Sequence, residues 1–478
     1  MVLLIWHIVQ HAGWKRTVNR NYEYRRIILI FIGFLCAFSS RWAFSYFGLS
    51  CFEQIVYHLK VPLEGTNTQF ISDWIKKCLI PSLALSIPFY FMPFWLNVFI
   101  FLASMLYAII QIQIVPYIFH QFQTSDVFES EFHQGNIKSP EKKMNLIHIY
   151  LESMETTYAL EKDGGNSKED LVPFLTKLTK ENISFSNTDK IGGARIINGT
   201  GWTTGGIVGS ECGIPLLFPL GHKFCKENVP FLKNIKGLGD VLEQDGYHQV
   251  FMIGSDAAFG GRKSYYLQHG HYEVEDINQI KREGKLEKDY HEFWGFEDDK
   301  LFEFAKEKLL ELSKENKPFN FTMLTVDTHH PYGYQSKTCK NKFKASLSNS
   351  IYHMNELLQD FMEWLKQQDF YEDTVIVIQG DHISMAAEYI HKTYDKKYKR
   401  RVWNVFIHAQ NHTNHTKNRD FTTFDLYPTI LASLGYKVDR AGLGTNLFSS
   451  EKTITERMNA KTFNKELTKK SDFYRSLL

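Results

Sequence analysis

Asn145-Leu-Ile-His-Ile-Tyr-Leu-Glu-Ser153 decides how the chain is read. Asn145–Leu151 is a short apolar run of strand length, and it ends directly on a carboxylate, Glu152. Four more runs of the same kind follow: Gln249–Ile253, Asn320–Val326, Thr374–Ile378 and Val402–His408. Helical patterns lie between them. The clearest is Ile351, Met354, Leu357, Leu358, Phe361, Met362 and Leu365, spaced for one apolar helix face. Strands alternating with helices predict an α/β fold, a largely parallel sheet with helices on both faces.

In such sheets ligands sit beyond the carboxyl ends of the strands. The second strand ends in Gly254-Ser255-Asp256, followed by Phe259-Gly260-Gly261-Arg262. The third ends in Asp327-Thr328-His329-His330-Pro331, and the fourth in Gln379-Gly380-Asp381-His382. Each ending alone is an ordinary cap or turn. Four loaded strand ends in one domain point to a site.

A glycine-rich stretch supplies hydroxyls for it. Asn198-Gly-Thr-Gly-Trp-Thr-Thr-Gly-Gly-Ile-Val-Gly-Ser-Glu-Cys-Gly-Ile-Pro-Leu216 holds Thr203 and Thr204 side by side. A strand-to-helix turn here would place a hydroxyl at a helix N-terminus, where backbone N–H groups favour an anion. Glu152, Asp381 and His382 offer two carboxylates and an imidazole. That mixture suits Mn²⁺ or Zn²⁺, with Mg²⁺ less favoured by the nitrogen ligand. A threonine hydroxyl beside such an ion becomes a usable nucleophile, and Arg262 and His329 would clamp the other oxygens of a tetrahedral anion.

The N-terminal quarter has a different character. Residues 27–40 carry no charge, and Cys78–His120 contains no Asp, Glu, Lys or Arg. A span needs about 20 residues, so this region is expected to hold three to four spans. One lies around residues 27–47, two are joined near Pro93, and Met1–Trp14 is a clipped span or interfacial segment. Lys15, Arg16, Arg20, Arg25 and Arg26 precede the first full span and predict a cytoplasmic N-terminal side. The expected layout is residues 1–120 transmembrane, 121–143 linker, 144–449 extracytoplasmic catalytic domain and 450–478 a charged tail. A formal net charge of +2 is nearly balanced and implies no nucleic-acid partner. Six cysteines without Cys/His zinc spacing exclude a disulfide scaffold or zinc finger. Export would permit a Cys212–Cys225 pair.

The motifs Asn145–Ser153, the glycine/threonine stretch ending Glu-Cys-Gly-Ile-Pro-Leu216, Thr325–Pro331 and Gly380-Asp-His382 occur in this order. Together they resemble the sulfatase-like phosphotransferases of the alkaline phosphatase superfamily, in the phosphoglycerol transferase branch. Lipoteichoic acid synthases and phosphoethanolamine transferases are more distant. The resemblance covers roughly residues 140–447. It implies Glu152, Thr203, Asp381 and His382 as ligands of a divalent metal, Mn²⁺ first, with Zn²⁺ or Mg²⁺ as alternatives. It makes Thr203 rather than Thr204 the nucleophile, because lipoteichoic acid synthases carry theirs second after the glycine matching Gly201. His329, Arg262 and Asp256 match substrate-binding positions, and Trp202 shapes the donor pocket or packs beside it.

The function so implied is transfer of phosphoglycerol from phosphatidylglycerol to a periplasmic or cell-surface glycan. It would run through a phosphothreonine-type intermediate, at the bacterial cytoplasmic (inner) membrane, in a multi-pass protein whose catalytic domain faces the periplasm or exterior. Phosphoethanolamine transfer to lipid A or surface sugars is the alternative on the same fold. A catalytically inactive membrane sensor or scaffold is the alternative of another class. A true sulfatase is disfavoured, since Cys212-Gly-Ile-Pro-Leu216 lacks the C/S-x-P-x-R context.

Overall fold

The computed structural model describes residues 20–46, 52–60, 69–217 and 230–478. They form two compact units. One contains residues 20–46 and 69–116; the other contains residues 52–60 and 117–478. The Met1–Trp14 segment and Cys225 lie outside the described residues.

The first unit is helical. Arg20–Tyr46 is one continuous helix. Gln69–Phe91 runs as a chain of α, π and 3-10 turns, and it breaks at Met92 and Pro93 before the helix Phe94–Gln111. Pro93 has no N–H to continue the preceding helix and sits instead at the cap of the next. Two helices among the described residues are long and apolar enough to cross a bilayer: Arg25–Tyr46, mean hydropathy 2.0, and Phe94–Gln111, mean hydropathy 1.8. Large apolar side chains stand outward on the second, with Trp95 69% and Phe99 65% exposed. Such a surface suits lipid rather than water.

The second unit is built on a six-stranded sheet. Its strands are β1 (Asn145–Leu151), β2 (His248–Ile253), β3 (Glu273–Glu275), β4 (Phe319–Leu324), β5 (Thr374–Gly380) and β6 (Asn404–Ile407). They lie in the order β3-β2-β4-β1-β5-β6. All neighbours are parallel except β5 and β6, which pair antiparallel. Strand periodicity sorts β1 into two faces. Ile147, Ile149 and Leu151 join one core with residues of the helices Pro173–Glu181, Asp298–Leu312 and Ser346–Leu365. Leu146 and Tyr150 face the cores on the opposite side, which include the helices Thr203–Cys212 and Leu426–Ser433. Every residue of β4 and β5 is buried, as both-face coverage requires.

β3 has no counterpart among the expected strands. It is three residues long and carries Glu273 and Glu275, so it leaves no apolar run to detect. The segment read as a linker pairs along its length with the far end of the chain. Thr124 bridges to Lys470, His133 to Gly442 and Lys138 to Lys437. Val127 and Phe128 are buried in a cluster with Phe463, Leu467 and Tyr474. Apolar residues in that segment and in the charged tail fold the two together.

Candidate active site

Glu152 follows β1 and Asp381-His382 follow β5, the strand beside it, so a parallel pair delivers all three to one end of the sheet. Backbone bonds fix the turn. The Glu152 N–H donates to Thr325 Oγ1 (2.9 Å), and its carbonyl accepts from Thr328 Oγ1 (2.6 Å). Ser153, at φ +55°, donates its N–H to Asp381 Oδ1 (2.8 Å) and its Oγ–H to Glu152 Oε1 (2.7 Å). The His382 N–H also donates to Asp381 Oδ1, at 2.8 Å.

Thr203 opens the helix Thr203–Cys212, with Trp202 at its cap. The first helical bond is Gly206 N–H to the Trp202 carbonyl, so earlier N–H groups have no intrahelical partner and point out of the helix end. Thr203 Oγ1 lies 3.4 Å from Glu152 Oε2 and 3.4 Å from His382 Nε2. Thr204 goes elsewhere: it is buried, and its hydroxyl donates to the Gly260 carbonyl at 2.6 Å.

Glu152, Asp381 and His382 are all buried, and one ligand atom from each lies within 4.8 Å of the others. His382 Nε2 is 3.3 Å from Asp381 Oδ2 and 3.6 Å from Glu152 Oε1. Its Nδ1 lies 2.8 Å from the Ile383 carbonyl, which can only accept, so Nδ1–H donates and Nε2 faces the carboxylates. Burial lowers the His382 pKa, but Asp381 and Glu152 outweigh it and raise it. Asp381 Oδ2 is buried yet receives no hydrogen bond. Burial and the adjacent Glu152 charge push the Asp381 carboxyl up. An orphaned carboxylate oxygen, a second carboxylate, an inward imidazole nitrogen and a nearby hydroxyl are donors that could hold a divalent cation, which would relieve the repulsion.

The other expected residues surround this cluster. Arg262 is buried, its Nη2–H groups donate to the Asp256 carbonyl (2.9 Å) and Ser255 Oγ (3.3 Å), and its Nε–H has no partner. Burial lowers its pKa, against the opposing pull of Glu152 and Asp381. His329 donates Nδ1–H to the His330 carbonyl (2.8 Å) and lies 4.7 Å from the Trp294 ring. Burial, then the nearby His382 and Arg262 charges, lower it to about 4 against the pull of Asp381, so the ring is neutral. Asp256 is half-buried and accepts from the Ala258 N–H at 2.8 Å. Trp202 is buried with its Nε1–H unpartnered. Asp327 takes no part in the cluster: its carboxylate accepts from the Asp298 N–H, while Asp298 accepts from Val326 and Asp327 N–H groups.

The Glu211-Cys-Gly-Ile-Pro-Leu motif anchors the far end of the same helix. Glu211 is buried and accepts from Tyr150 (3.0 Å), Tyr266 (3.1 Å) and Tyr265 (3.2 Å) hydroxyls. Tyr150 belongs to β1, so the helix is tied to the strand that delivers Glu152. Cys212 is a buried free thiol, 3.2 Å from the Tyr265 hydroxyl. Three aromatic or imidazole groups escaped sequence reading: Tyr57, His58 and Trp294. Tyr57 and His58 lie in the segment between apolar stretches, where no local motif singles them out.

A glycine-rich helix N-terminus set against a buried Glu/Asp/His cluster, at the carboxyl ends of a parallel sheet, defines the class. Residues 208–436 match the sulfatase family, and the fold around them is an alkaline phosphatase-like α/β fold. Asp381 and His382 fall inside the matched range, Thr203 lies just before it, and Glu152 lies well upstream of it. Among curated proteins, phosphoglycerol transferase I of Escherichia coli O127:H6 (strain E2348/69 / EPEC) is 33% identical over 278 residues. That alignment covers 55% of this chain and 34% of the relative, so the match spans about a third of the relative's length. Two solved structures share the fold. A protein of the alkaline phosphatase superfamily from Vibrio parahaemolyticus superposes with TM-score 0.50 at 20% identity, covering 66% of this chain and 72% of that one. The integral membrane lipooligosaccharide phosphoethanolamine transferase A of Neisseria meningitidis does so with TM-score 0.51 at 11% identity, covering 86% and 84%.

Proposed function

We propose that the chain is a membrane-anchored phosphotransferase that moves phosphoglycerol from phosphatidylglycerol to a glycan outside the cytoplasmic membrane. The observation that carries this reading is the Thr203 hydroxyl, 3.4 Å from both Glu152 and His382 at the mouth of a helix. The similarity to phosphoglycerol transferase I supports the transferred group, and the two apolar helices support a lipid donor.

Thr203 Oγ attacks the phosphorus of the lipid headgroup. The bond from phosphorus to the diacylglycerol oxygen breaks, and that oxygen leaves with a proton, while the glycerophosphoryl group stays on Thr203. An acceptor hydroxyl then attacks the same phosphorus, loses its proton, and Thr203 regains its own. Glu152, Asp381, His382 and Thr203 would hold a divalent ion, Mn²⁺ in our reading, which would supply positive charge beside the Thr203 hydroxyl and the phosphoryl oxygens. The helix N-terminus adds partial positive charge beside Thr203. Arg262 offers its free Nε–H to phosphoryl oxygens, and neutral His329 beside Trp294 lines the headgroup pocket.

The test incubates the purified full-length chain with phosphatidylglycerol labelled in the headgroup and a panel of glycans. Label appearing on a glycan with release of diacylglycerol supports the reading. Transfer only from phosphatidylethanolamine would replace it with phosphoethanolamine transfer, and release of free glycerol phosphate alone would make the protein a hydrolase.

A further inference from the structure

The helix Phe52–Lys60 follows the first candidate span in sequence, yet it belongs to the compact unit that carries the sheet. Tyr57 on this helix is buried; its hydroxyl donates to the Gly260 carbonyl, and its ring lies 5.2 Å from Trp202. The same carbonyl accepts the Thr204 hydroxyl at 2.6 Å. Gly260 stands at φ +67°, a left-handed conformation that glycine adopts without strain. One oxygen therefore ties the inter-span helix to the Thr203–Cys212 helix and to the turn that leads into Arg262.

Tyr57 sets the place of the next residue. The His58 ring is half-buried and meets Trp202 edge-on at 5.9 Å. Its Nδ1 lies 2.7 Å from the Gln54 carbonyl oxygen, which can only accept, so Nδ1 holds the proton and Nε2 keeps its lone pair in the neutral ring. Among the described residues, Nε2 hydrogen-bonds to none. Burial and the nearby His382 lower the His58 pKa, against the pull of the Gln54 carbonyl, so the neutral form prevails at physiological pH.

We propose that the segment between the first two apolar stretches is a working part of the catalytic site, in which His58 Nε2 accepts a hydrogen bond from a substrate hydroxyl. The chemistry selects the ligand group. A neutral imidazole nitrogen with only a lone pair to offer cannot bind phosphate oxygens, which are acceptors themselves, but it can hold an O–H and aim that oxygen. Such hydroxyls come from two sources, the incoming acceptor and the glycerol headgroup. The proposal rests on the transfer reaction above.

Two variants test it in the full-length chain with phosphatidylglycerol vesicles and a glycan acceptor. His58→Phe keeps a ring against Trp202 and removes the acceptor atom; His58→Gln returns one. Turnover in His58→Phe is expected to fall about tenfold or more, as for loss of a buried hydrogen bond, with recovery in His58→Gln and no change in bound metal or unfolding temperature. Accumulation of phosphoglycerol on Thr203 in His58→Phe assigns the hydroxyl to the acceptor; slower loading of Thr203 assigns it to the headgroup. Turnover within twofold of the native enzyme overturns the proposal, as does an equal loss in both variants accompanied by a lower unfolding temperature. Failure of the transfer reaction itself reads out separately, as no movement of headgroup label to the glycan by the native chain.

Discussion

Gly206, in the first turn of the Thr203–Cys212 helix, lies so close to Asp381 that a Cβ there would stand 2.0 Å from the Asp381 carbonyl oxygen. No side chain fits that gap, and the obstacle is backbone that cannot swing aside. The helix carrying Thr203 and the loop carrying two cluster residues are thus seated directly on each other. Gly206→Ala is expected to cost about 1–3 kcal/mol of stability through overpacking. Because misplacement by about 1 Å can cost a hundredfold in rate, turnover should fall far more than stability accounts for. Thermal unfolding and steady-state rates on one preparation check this; native-like turnover would show that the contact is slack.

The neighbouring hydroxyls should separate cleanly. Thr204 is committed to the Gly260 carbonyl at 2.6 Å, so Thr204→Val removes one buried hydrogen bond, worth about 1 kcal/mol. Its turnover should stay within about tenfold of native. Thr203→Ala should lose roughly a thousandfold or more, as for removal of a nucleophile. Equal losses in the two variants would count against assigning the chemistry to Thr203.

Metal removal should be felt in folding as well as in catalysis. Without a cation, the buried Asp381 and Glu152 repel, and Asp381 Oδ2 has no hydrogen bond to offset its burial. Chelation is expected to abolish turnover and lower the unfolding temperature. Asp381→Asn keeps an oxygen for the Ser153 and His382 N–H groups while removing a charge. The chelated variant should therefore unfold at a higher temperature than the chelated native protein, although it no longer binds metal well. Calorimetry with and without chelator decides; a lower value for the variant would mean that repulsion does not govern the empty cluster.

Much of this site is visible in the residues themselves, because β1, β4 and β5 are apolar runs that stop on Glu152, the Asp327–His330 turn and Asp381-His382. Parallel pairing brings such strand ends together. What stays hidden is long-range. Nothing near Tyr57 and His58 announces that they meet Trp202 and Gly260, more than 140 residues away in sequence. β3 is invisible because two of its three residues are charged and its pairing is supplied by β2. Residues 121–143 are polar on average, and only the packing of Val127 and Phe128 shows what they join.

Glu211 gives a pH prediction. Burial raises its carboxyl to about 7, even though three tyrosine hydroxyls favour the anion. A carboxyl whose folded pKa exceeds its unfolded value, near 4.3, favours folding most when protonated. That contribution is complete below the unfolded value and is lost as pH rises toward 7. Relative to Glu211→Gln, the native protein should lose about 3 kcal/mol of stability between pH 4 and 7, and the loss should level off about one pH unit higher, once the folded carboxyl is fully ionised. Denaturant unfolding of both proteins across this range measures the difference, in which other titrating groups cancel. A difference that does not vary with pH would place the Glu211 pKa at an ordinary value.

The account turns on whether Thr203 carries the phosphoryl group. The direct measurement exposes the metal-loaded protein to phosphatidylglycerol without acceptor, quenches it, and maps the peptide spanning residues 198–216 by mass spectrometry. The account predicts a glycerophosphoryl group on Thr203, its discharge when acceptor is added before the quench, and no adduct on Thr203→Ala. Headgroup transfer that proceeds at the native rate in Thr203→Ala, or a phosphoryl group found on another residue, would contradict it.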